Sequence, residues 1–237
     1  MLSAQIGAQH LLSVLSVLII ITSACVIYLF DYYHADPDAV GAYAELDGNI
    51  VFEAENSEVG FIFYPGGKVE YTAYAPLMSA LAERGITCVL VEMPFNLAVF
   101  DIDAAEGIQA DYPHIKDWYI GGHSLGGSMA ASYLADNAED YRGLVLLGSY
   151  STADLNETVL KVLSVYGSED KVLNLDKYNQ YKPNLPDDFT ELVIEGGCHA
   201  YFGAYGEQKG DGKAAITREE QTEQTVSAIL DMINDEN

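Results

Sequence analysis

Basic residues are scarce in this sequence. Its 237 residues include 11 Lys and Arg against 36 Asp and Glu, for a formal net charge of −25. A surface this acidic repels phosphate backbones, so the composition argues against a nucleic-acid partner. Cysteine is also rare, and Cys25, Cys88 and Cys198 form no obvious disulfide framework. With 49% hydrophobic and 11% aromatic residues, the chain is expected to fold as one substantial domain.

Long hydrophobic runs are missing from most of the chain, but Leu11 to Phe30 is a run of 20 residues without a charged side chain. This length matches the hydrocarbon core of a bilayer. A cleaved signal peptide usually has a shorter apolar part that follows basic residues. We therefore predict a short segment at 1–10, an uncleaved transmembrane anchor at 11–30, a polar linker at 31–42 and a folded domain at 43–237. The alternative is a lipoprotein acylated at Cys25, because "TSAC" loosely resembles a lipobox.

No Lys or Arg precedes Lys68, so the positive-inside rule gives no orientation for this anchor. Asp31, Asp36 and Asp38 follow the apolar run directly. These acidic residues weakly favour translocation of the C-terminal side. The expected location is the membrane, with the folded domain on the extracytoplasmic side.

Strand-like and helix-like stretches alternate after residue 43. Strands are predicted at 49–54, 59–65, 86–94, 118–124, 143–150, 161–168 and 191–197. Helices are predicted at 71–85, from Leu97 to Ala110, after Gly126, and from a T-x-x-E capping box at Thr217 and Glu220 to the C-terminal end. Alternation of this kind predicts an α/β fold in three layers, with a mainly parallel sheet covered by helices on both faces.

The stretch "GGHSLGGSMAA", residues 121–131, places four glycines around Ser124 after a predicted strand. The glycine spacing does not match a dinucleotide fingerprint, and no lysine is present for a phosphate loop. Residues 122–126, "GHSLG", match the G-x-S-x-G nucleophile elbow, in which a tight strand-to-helix turn exposes the serine hydroxyl. Ser124 is therefore the candidate nucleophile.

An acid and a histidine follow two later strands. Asp170 comes after "VLSVYGSE" and His199 after "LVIEGGC". In a parallel sheet, the loops beyond the carboxyl ends of strands meet at one edge, so Ser124, Asp170 and His199 are predicted to form a catalytic triad. His199 would take the serine proton, and Asp170 would fix the imidazole tautomer.

Several residues compete for these roles. Glu169 is the second choice for the acid, although it leaves the turn in a different direction. Cys198 lies beside the predicted base rather than in the elbow and is expected to be a small packed residue. His10, His34 and His114 lie before the anchor, in the linker and at the wrong sheet edge. The His123 side chain is expected to point away from the serine.

Two backbone N–H groups are needed to bind the oxyanion that forms during acyl transfer. Leu125, which follows the nucleophile, would provide one. Gly67, in the loop "YPGGKVE", would provide the other, with Lys68 as the alternative.

These motifs resemble those of the α/β-hydrolases, and the chain is similar to a compact bacterial group of that family. The resemblance rests on "YPGGKVE", "EMPFNLAVF", "GGHSLGGSMAA", "YGSEDKVLN" and "HAYFGAYGEQKGDG" and covers roughly residues 59–235. It implies a sheet of the eight-stranded type, a Ser-His-Asp mechanism through an acyl-enzyme, and no metal or organic cofactor. Cys198 departs from the pattern, in which a polar residue such as Asn is expected.

The predicted pocket is open, because "STADLNETVL" is too short for a lid domain. Candidate substrate contacts are Lys68, Phe95 and Tyr201. Further pocket walls are expected at Leu97, Phe100, Tyr150 and Phe202, and a basic collar at Lys68, Lys171, Lys209 and Lys213.

The predicted function is that of a membrane-anchored serine hydrolase, carboxylesterase-like, acting on a small-molecule acyl substrate. The alternatives are an acyltransferase that uses the same triad and a non-catalytic binding or sensing module on the same fold.

Overall fold

The computed structural model describes residues 2–37, 44–46 and 48–235, except for the side chains of 2–13 and 44–46. The chain divides into two compact units, residues 1–32 and 33–237. The first contains helix α1, Leu2–Phe30. The predicted anchor at 11–30 lies within α1, and the structure does not support it as a transmembrane segment. Among the described residues, no helix is both long and apolar enough to cross a membrane.

The second unit is built on a sheet, which has eight strands in the part of the chain described. Their spatial order is β1-β2-β4-β3-β5-β6-β7-β8. The strands β4, β3, β5, β6, β7 and β8 run parallel, whereas β2 pairs antiparallel with both β1 and β4. The bounds are β1 Ala44–Leu46, β2 Asn49–Phe52, β3 Val59–Tyr64, β4 Thr87–Leu90, β5 Asp117–His123, β6 Gly143–Leu147, β7 Lys161–Gly167 and β8 Thr190–Ile194.

Helices cover both faces of the sheet, as the alternating pattern predicted. They are α2 Ala75–Ala82, α3 Ile108–Asp111, α4 Leu125–Asn137, α5 Leu175–Tyr181 and α6 Arg218–Asn234. One apolar core contains Phe61 and Phe63 with side chains of α2 and α6, and the other contains Ile62 with side chains of α4. Neighbouring residues of β3 thus enter opposite cores, because side chains alternate along a strand. The fold is a three-layer sandwich with a mostly parallel sheet.

The N-terminal end of α6 confirms the predicted capping box. The Thr217 hydroxyl accepts the N–H of Glu220 at 3.1 Å, and the Glu220 carboxylate accepts the N–H of Thr217 at 2.8 Å. Two N–H groups that lack partners within the helix are thereby satisfied.

The helix predicted from Leu97 to Ala110 is wrong. Two short 3-10 turns, Pro94–Asn96 and Ala98–Phe100, precede a loop, and only α3 is helical. The buried Tyr64 hydroxyl donates to the carbonyl of Ile102 and accepts the N–H of Ala105, both at 2.8 Å. A tertiary contact therefore takes backbone groups that a helix would have used. Strand β1 and helix α5 were not predicted.

Residues of the predicted linker pack along the loop that follows β3. The N–H of Tyr33 donates to the carbonyl of Lys68 at 2.8 Å, and the N–H of Glu70 donates to the carbonyl of Tyr33 at 2.9 Å. The N–H of Asp36 donates to Ala204 at 2.7 Å. Residues 38–42 of this linker lie outside the described part of the chain.

Candidate active site

Ser124 occupies a strained turn between β5 and α4. Its φ of 51° and ψ of −119° are backbone angles that a residue with a side chain rarely adopts. The flanking glycines make the turn possible. A Cβ on Gly122 would lie 2.6 Å from the carbonyl oxygen of Tyr64, and one on Gly126 would lie 2.3 Å from the carbonyl oxygens of Tyr64 and Pro65. The turn therefore has the geometry of a nucleophile elbow.

Hydrogen bonds hold this strained turn in place. The N–H of Ser124 donates to the carbonyl of Leu147 at 2.9 Å. The carbonyl of Ser124 accepts the hydroxyl of buried Ser149 at 2.7 Å and the N–H of Ser128 at 3.2 Å. Both backbone polar groups of the serine are thus satisfied, which offsets part of a strain cost of about 1–3 kcal/mol.

Asp170 and His199 meet in the interior, where each side chain is 1% exposed. Asp170 Oδ2 lies 2.7 Å from His199 Nδ1. Asp170 Oδ1 accepts the N–H groups of Val172 and Leu173, both at 2.8 Å. The carboxylate is oriented by three hydrogen bonds, so we assign the imidazole proton to Nδ1 and the free lone pair to Nε2.

His199 Nε2 is buried and has no hydrogen-bond partner among the described residues. The hydroxyl of Ser124 is therefore not hydrogen-bonded to it. Such contacts are often long in unliganded enzymes and shorten when substrate binds.

Gly148 lies between the turn that carries Ser124 and the ring of His199. It follows Leu147, which accepts the Ser124 N–H, and a Cβ on Gly148 would lie 2.9 Å from His199 Nδ1.

Two residues missed by the sequence analysis fix the loops that carry the acid and the histidine. Asp211 accepts the N–H of Ala200 at 2.8 Å and that of Lys171 at 3.2 Å, so one carboxylate joins both loops. Fully buried Gln221, on α6, hydrogen-bonds the N–H and the carbonyl of Cys198 at 3.0 and 2.9 Å. Gln221 could have been identified from the sequence, because it is a polar residue on the otherwise apolar face of α6.

Cys198 is buried, and burial raises the pKa of its thiol to about 12. A nucleophilic cysteine needs the opposite shift. Cys198 thus stands where a polar residue was expected, and its N–H and carbonyl groups are both hydrogen-bonded by Gln221.

The loop after β3 leaves one amide unused beside the elbow. The N–H of Gly66 donates to the Tyr74 hydroxyl at 3.0 Å, and the N–H of Lys68 donates to the carbonyl of Asn96 at 2.7 Å. Within the described residues, Gly67 N–H makes no hydrogen bond. A Cβ on Gly67 would lie 2.9 Å from Leu125 Cδ2, so the two predicted oxyanion residues are neighbours. The alternative donor, Lys68, is already engaged.

The predicted substrate contacts differ in exposure. Phe95 is 56% exposed in a left-handed turn with φ of 55°, and it packs edge-on against Phe100. Tyr201 is half-buried, and Lys68 is half-buried with φ of 60°. Of the other predicted walls, Leu97 and Phe202 are buried, whereas Tyr150 stacks on Tyr181.

The predicted basic collar is mixed with carboxylates. Lys171, Lys209 and Lys213 are exposed. Asp211 lies among them and accepts the backbone N–H of Lys171. The side-chain arrangement is therefore not a uniformly positive surface. Among the described residues, no cluster of His, Cys, Asp or Glu has the arrangement of a metal site.

The His123 side chain was expected to point away from the serine, and among the described residues no hydrogen bond joins it to Ser124. The sequence did not indicate where it lies instead: it is buried beside the predicted base, with the His123 and His199 ring centroids 4.3 Å apart. Of the other competing histidines, His34 approaches Glu70, and His114 packs edge-on against Tyr112. The side chain of His10 lies outside the described residues.

Residues 60–223 match the model of the alpha/beta hydrolase family. This is more than half of the chain, which therefore belongs to the alpha/beta hydrolase family. The resemblance to the α/β-hydrolases inferred from the motifs is confirmed at the level of the family. No curated protein matches the sequence.

Solved structures with this fold include several hydrolases. Est1E from Butyrivibrio proteoclasticus is 14% identical, with a TM-score of 0.58 over 81% of this chain and 98% of that chain. Est2, a thermophilic esterase from Thermogutta terrifontis, is 14% identical, with a TM-score of 0.56 over 84% and 92%. A bacterial membrane phospholipase A is 12% identical, with a TM-score of 0.56 over 99% and 100%. At these identities the likeness shows the fold alone.

Proposed function

We propose that this protein is a serine hydrolase that cleaves a carboxylic ester or a related acyl bond through an acyl-enzyme. One observation carries the proposal. A buried imidazole, oriented by a carboxylate 2.7 Å away, has an unused Nε2 at the sheet edge where a strained turn presents Ser124. A scaffold without catalytic activity needs neither the strained turn nor the unpartnered nitrogen.

The residues have distinct roles in this reaction. His199 Nε2 takes the proton of the Ser124 hydroxyl as its oxygen attacks the acyl carbon. His199 then donates that proton to the leaving alcohol, and the acyl group remains on Ser124. A water molecule, deprotonated by His199, hydrolyses the acyl-enzyme. Asp170 keeps the imidazole in the required tautomer and stabilises the imidazolium in both halves of the reaction.

The tetrahedral intermediates carry a negative oxygen, which the N–H groups of Gly67 and Leu125 bind in this proposal. Gly67 N–H makes no hydrogen bond within the described residues, and Leu125 N–H, in the first turn of α4, has no partner inside the helix. The adjacent amides, Gly66 and Lys68, are already used within the fold. Preorganised donors of this kind stabilise the transition state without reorganising during the reaction.

A carboxylic ester is the favoured substrate, because Est2, which shares this fold, is an esterase by name. We propose that Phe95 and Tyr201 contact the acyl or alcohol part and that Lys68 lies near its polar end. The segment between β6 and β7, residues 148–160, contains no helix or strand. No lid domain is therefore inserted there to restrict the substrate.

No membrane-spanning helix is found among the described residues, so the following proposal rests on the sequence: the uncharged run at 11–30 anchors the protein in a membrane, with the hydrolase domain on the extracytoplasmic side. The apolar side chains from Val14 to Phe30 are largely exposed, including Ile19 and Ile27 at 65% and 69%. A protein of the same fold, the membrane phospholipase A, aligns over 99% of this chain. If carbonate extraction releases the full chain from membranes, the anchor is excluded. Metabolic labelling with a fatty acid, lost in Cys25→Ala, would instead indicate a lipoprotein.

The test of catalysis is labelling of the full chain in detergent by a fluorophosphonate probe. We expect labelling of wild type, its loss in Ser124→Ala, and its retention in Ser132→Ala, which alters another hydroxyl of α4. Hydrolysis of p-nitrophenyl esters should follow the same pattern. A folded wild-type protein that neither labels nor hydrolyses would favour a binding module. Transfer to an added alcohol in preference to water would indicate an acyltransferase.

A further inference from the structure

His123 directly precedes the proposed nucleophile, yet its side chain contacts the proposed base. It is 1% exposed, and its ring lies at 48° to that of His199, with centroids 4.3 Å apart. Phe202 covers it at 5.5 Å between ring centroids. His123 therefore forms part of the wall against which the His199 ring packs.

Tyr74 fixes the protonation of His123. Its hydroxyl lies 2.8 Å from His123 Nδ1 and accepts the N–H of Gly66 at 3.0 Å. Tyr74 is fully buried, and no other acceptor for its proton is found among the described residues. The hydroxyl therefore donates to Nδ1, and the single proton of a neutral His123 lies on Nε2.

These contacts connect the proposed oxyanion loop to the proposed base. Gly66, adjacent to Gly67, is at one end, and His199 is at the other. A side chain at position 66 would not fit between Tyr74 and His123. A Cβ on Gly66 would lie 2.6 Å from the Tyr74 hydroxyl oxygen and 2.7 Å from His123 Nδ1. A shift of Tyr74 or His123 would therefore displace the loop, the imidazole or both.

The position of His123 beside His199 is compatible with a site in which His199 becomes positively charged. Burial lowers the pKa of His123 well below its ordinary value, and the nearby His199 imidazole acts in the same direction. A neutral ring does not repel the imidazolium that forms on His199 during the reaction. His123 Nε2 is nonetheless buried without a hydrogen-bond partner among the described residues. A weaker contact with the His199 backbone acts on the pKa in the opposite direction, so the His123 ring interacts with both the imidazole and the main chain of His199.

We propose that His123 and Tyr74 are positioning residues that hold the His199 imidazole and the Gly67 amide in the mutual arrangement required for acyl transfer. This inference rests on the proposed serine hydrolase function. Misplacement of a reacting group by a fraction of an ångström mainly lowers kcat, whereas substrate binding is less affected.

The test uses the full chain in detergent with a p-nitrophenyl ester, after fluorophosphonate labelling has established the active serine. Tyr74→Phe deletes a single oxygen. We expect kcat to fall about tenfold with KM changed less than about twofold. The matched control is Tyr178→Phe, which removes another buried tyrosine hydroxyl, bonded to Ser164 and Glu191, and should leave kcat unchanged.

A double-mutant cycle separates positioning from general destabilisation. Because the Tyr74 hydroxyl contacts both His123 and Gly66, part of its effect passes through His123, and the double variant Tyr74→Phe, His123→Leu should lose less activity than the product of the two single losses. His123→Gln retains an acceptor for the Tyr74 hydroxyl and should recover part of the activity that His123→Leu loses. It also keeps the inference testable if Tyr74→Phe fails to fold.

The outcomes distinguish the two proposals. Failure of wild type to label overturns the serine hydrolase function. A labelled, active wild type whose kcat is unaffected by Tyr74→Phe, or unaffected by both His123 variants, overturns the positioning role alone. Additive losses in the cycle overturn it as well.

Discussion

Replacing Asp170 with asparagine should abolish most activity while preserving the fold, for a reason visible in the hydrogen bonds. Oδ1 of Asp170 accepts two backbone N–H groups, and Oδ2 faces His199 Nδ1. Asparagine has only one amide oxygen. Two N–H donors compete for it against one ring nitrogen, so the oxygen should remain at the backbone amides and the NH₂ group should face His199.

An NH₂ group beside Nδ1 requires this nitrogen to accept a hydrogen bond. The ring proton then moves to Nε2, where the serine proton has to be received. The equivalent change in a serine protease lowers kcat about 10⁴-fold by imposing the wrong tautomer. We expect a loss of about 10³-fold to 10⁴-fold for Asp170→Asn, with KM changed less than about threefold.

The assay is steady-state hydrolysis of a p-nitrophenyl ester, with circular dichroism to confirm folding. Glu169→Gln is the matched control, because it neutralises the adjacent carboxylate, which makes no hydrogen bond with His199. Its kcat should remain within about twofold of wild type. A folded Asp170→Asn protein that keeps more than about a tenth of wild-type kcat would refute the assignment. Loss of activity in Glu169→Gln instead would transfer the role to Glu169.

Two further predictions concern glycines and thiols. Gly126→Ala places a Cβ 2.3 Å from backbone oxygens, so the variant should be destabilised by more than about 3 kcal/mol in urea unfolding. Gly67→Ala meets side-chain atoms rather than backbone, namely Leu125 Cδ2 at 2.9 Å, Leu125 Cβ at 3.2 Å and Leu97 Cδ2 at 3.5 Å, so it should fold but lose about tenfold or more in kcat by moving the oxyanion amide. Equal stability losses in the two variants would contradict this contrast. The raised pKa of Cys198, about 12, keeps its thiol protonated at pH 8, so iodoacetamide should modify exposed Cys25 but not Cys198 until the protein unfolds, as mass spectrometry can check.

Much of the fold was predictable because its signals are local. The elbow glycines, the capping box at Thr217 and the alternation of buried strands with helices each depend on residues close in sequence. The stretch from Leu97 to Ala110 shows the limit of this reasoning. Its apolar residues suggested a helix, but the Tyr64 hydroxyl, more than thirty residues earlier in the chain, binds its backbone.

The candidate site also has features that could be predicted from the sequence and features that could not. The order Ser124, Asp170, His199 and their positions after strands could be derived from the sequence, because parallel strands bring their carboxyl ends to one edge. The contacts that hold these residues could not. Asp211 and Gln221 act on backbone groups of other loops, and no local pattern specifies which loop a side chain will reach.

The sequence by itself determined the family, the elbow and the candidate triad. Only the tertiary structure decided that Lys68 N–H is occupied, that Gly67 N–H has no partner in the part of the chain described, and that His123 packs on His199. These outcomes depend on the strand order, in which β3 lies between β4 and β5 and so brings Gly66 and Tyr74 to the elbow. Local chemistry selects the residues that can react, whereas long-range packing selects their neighbours.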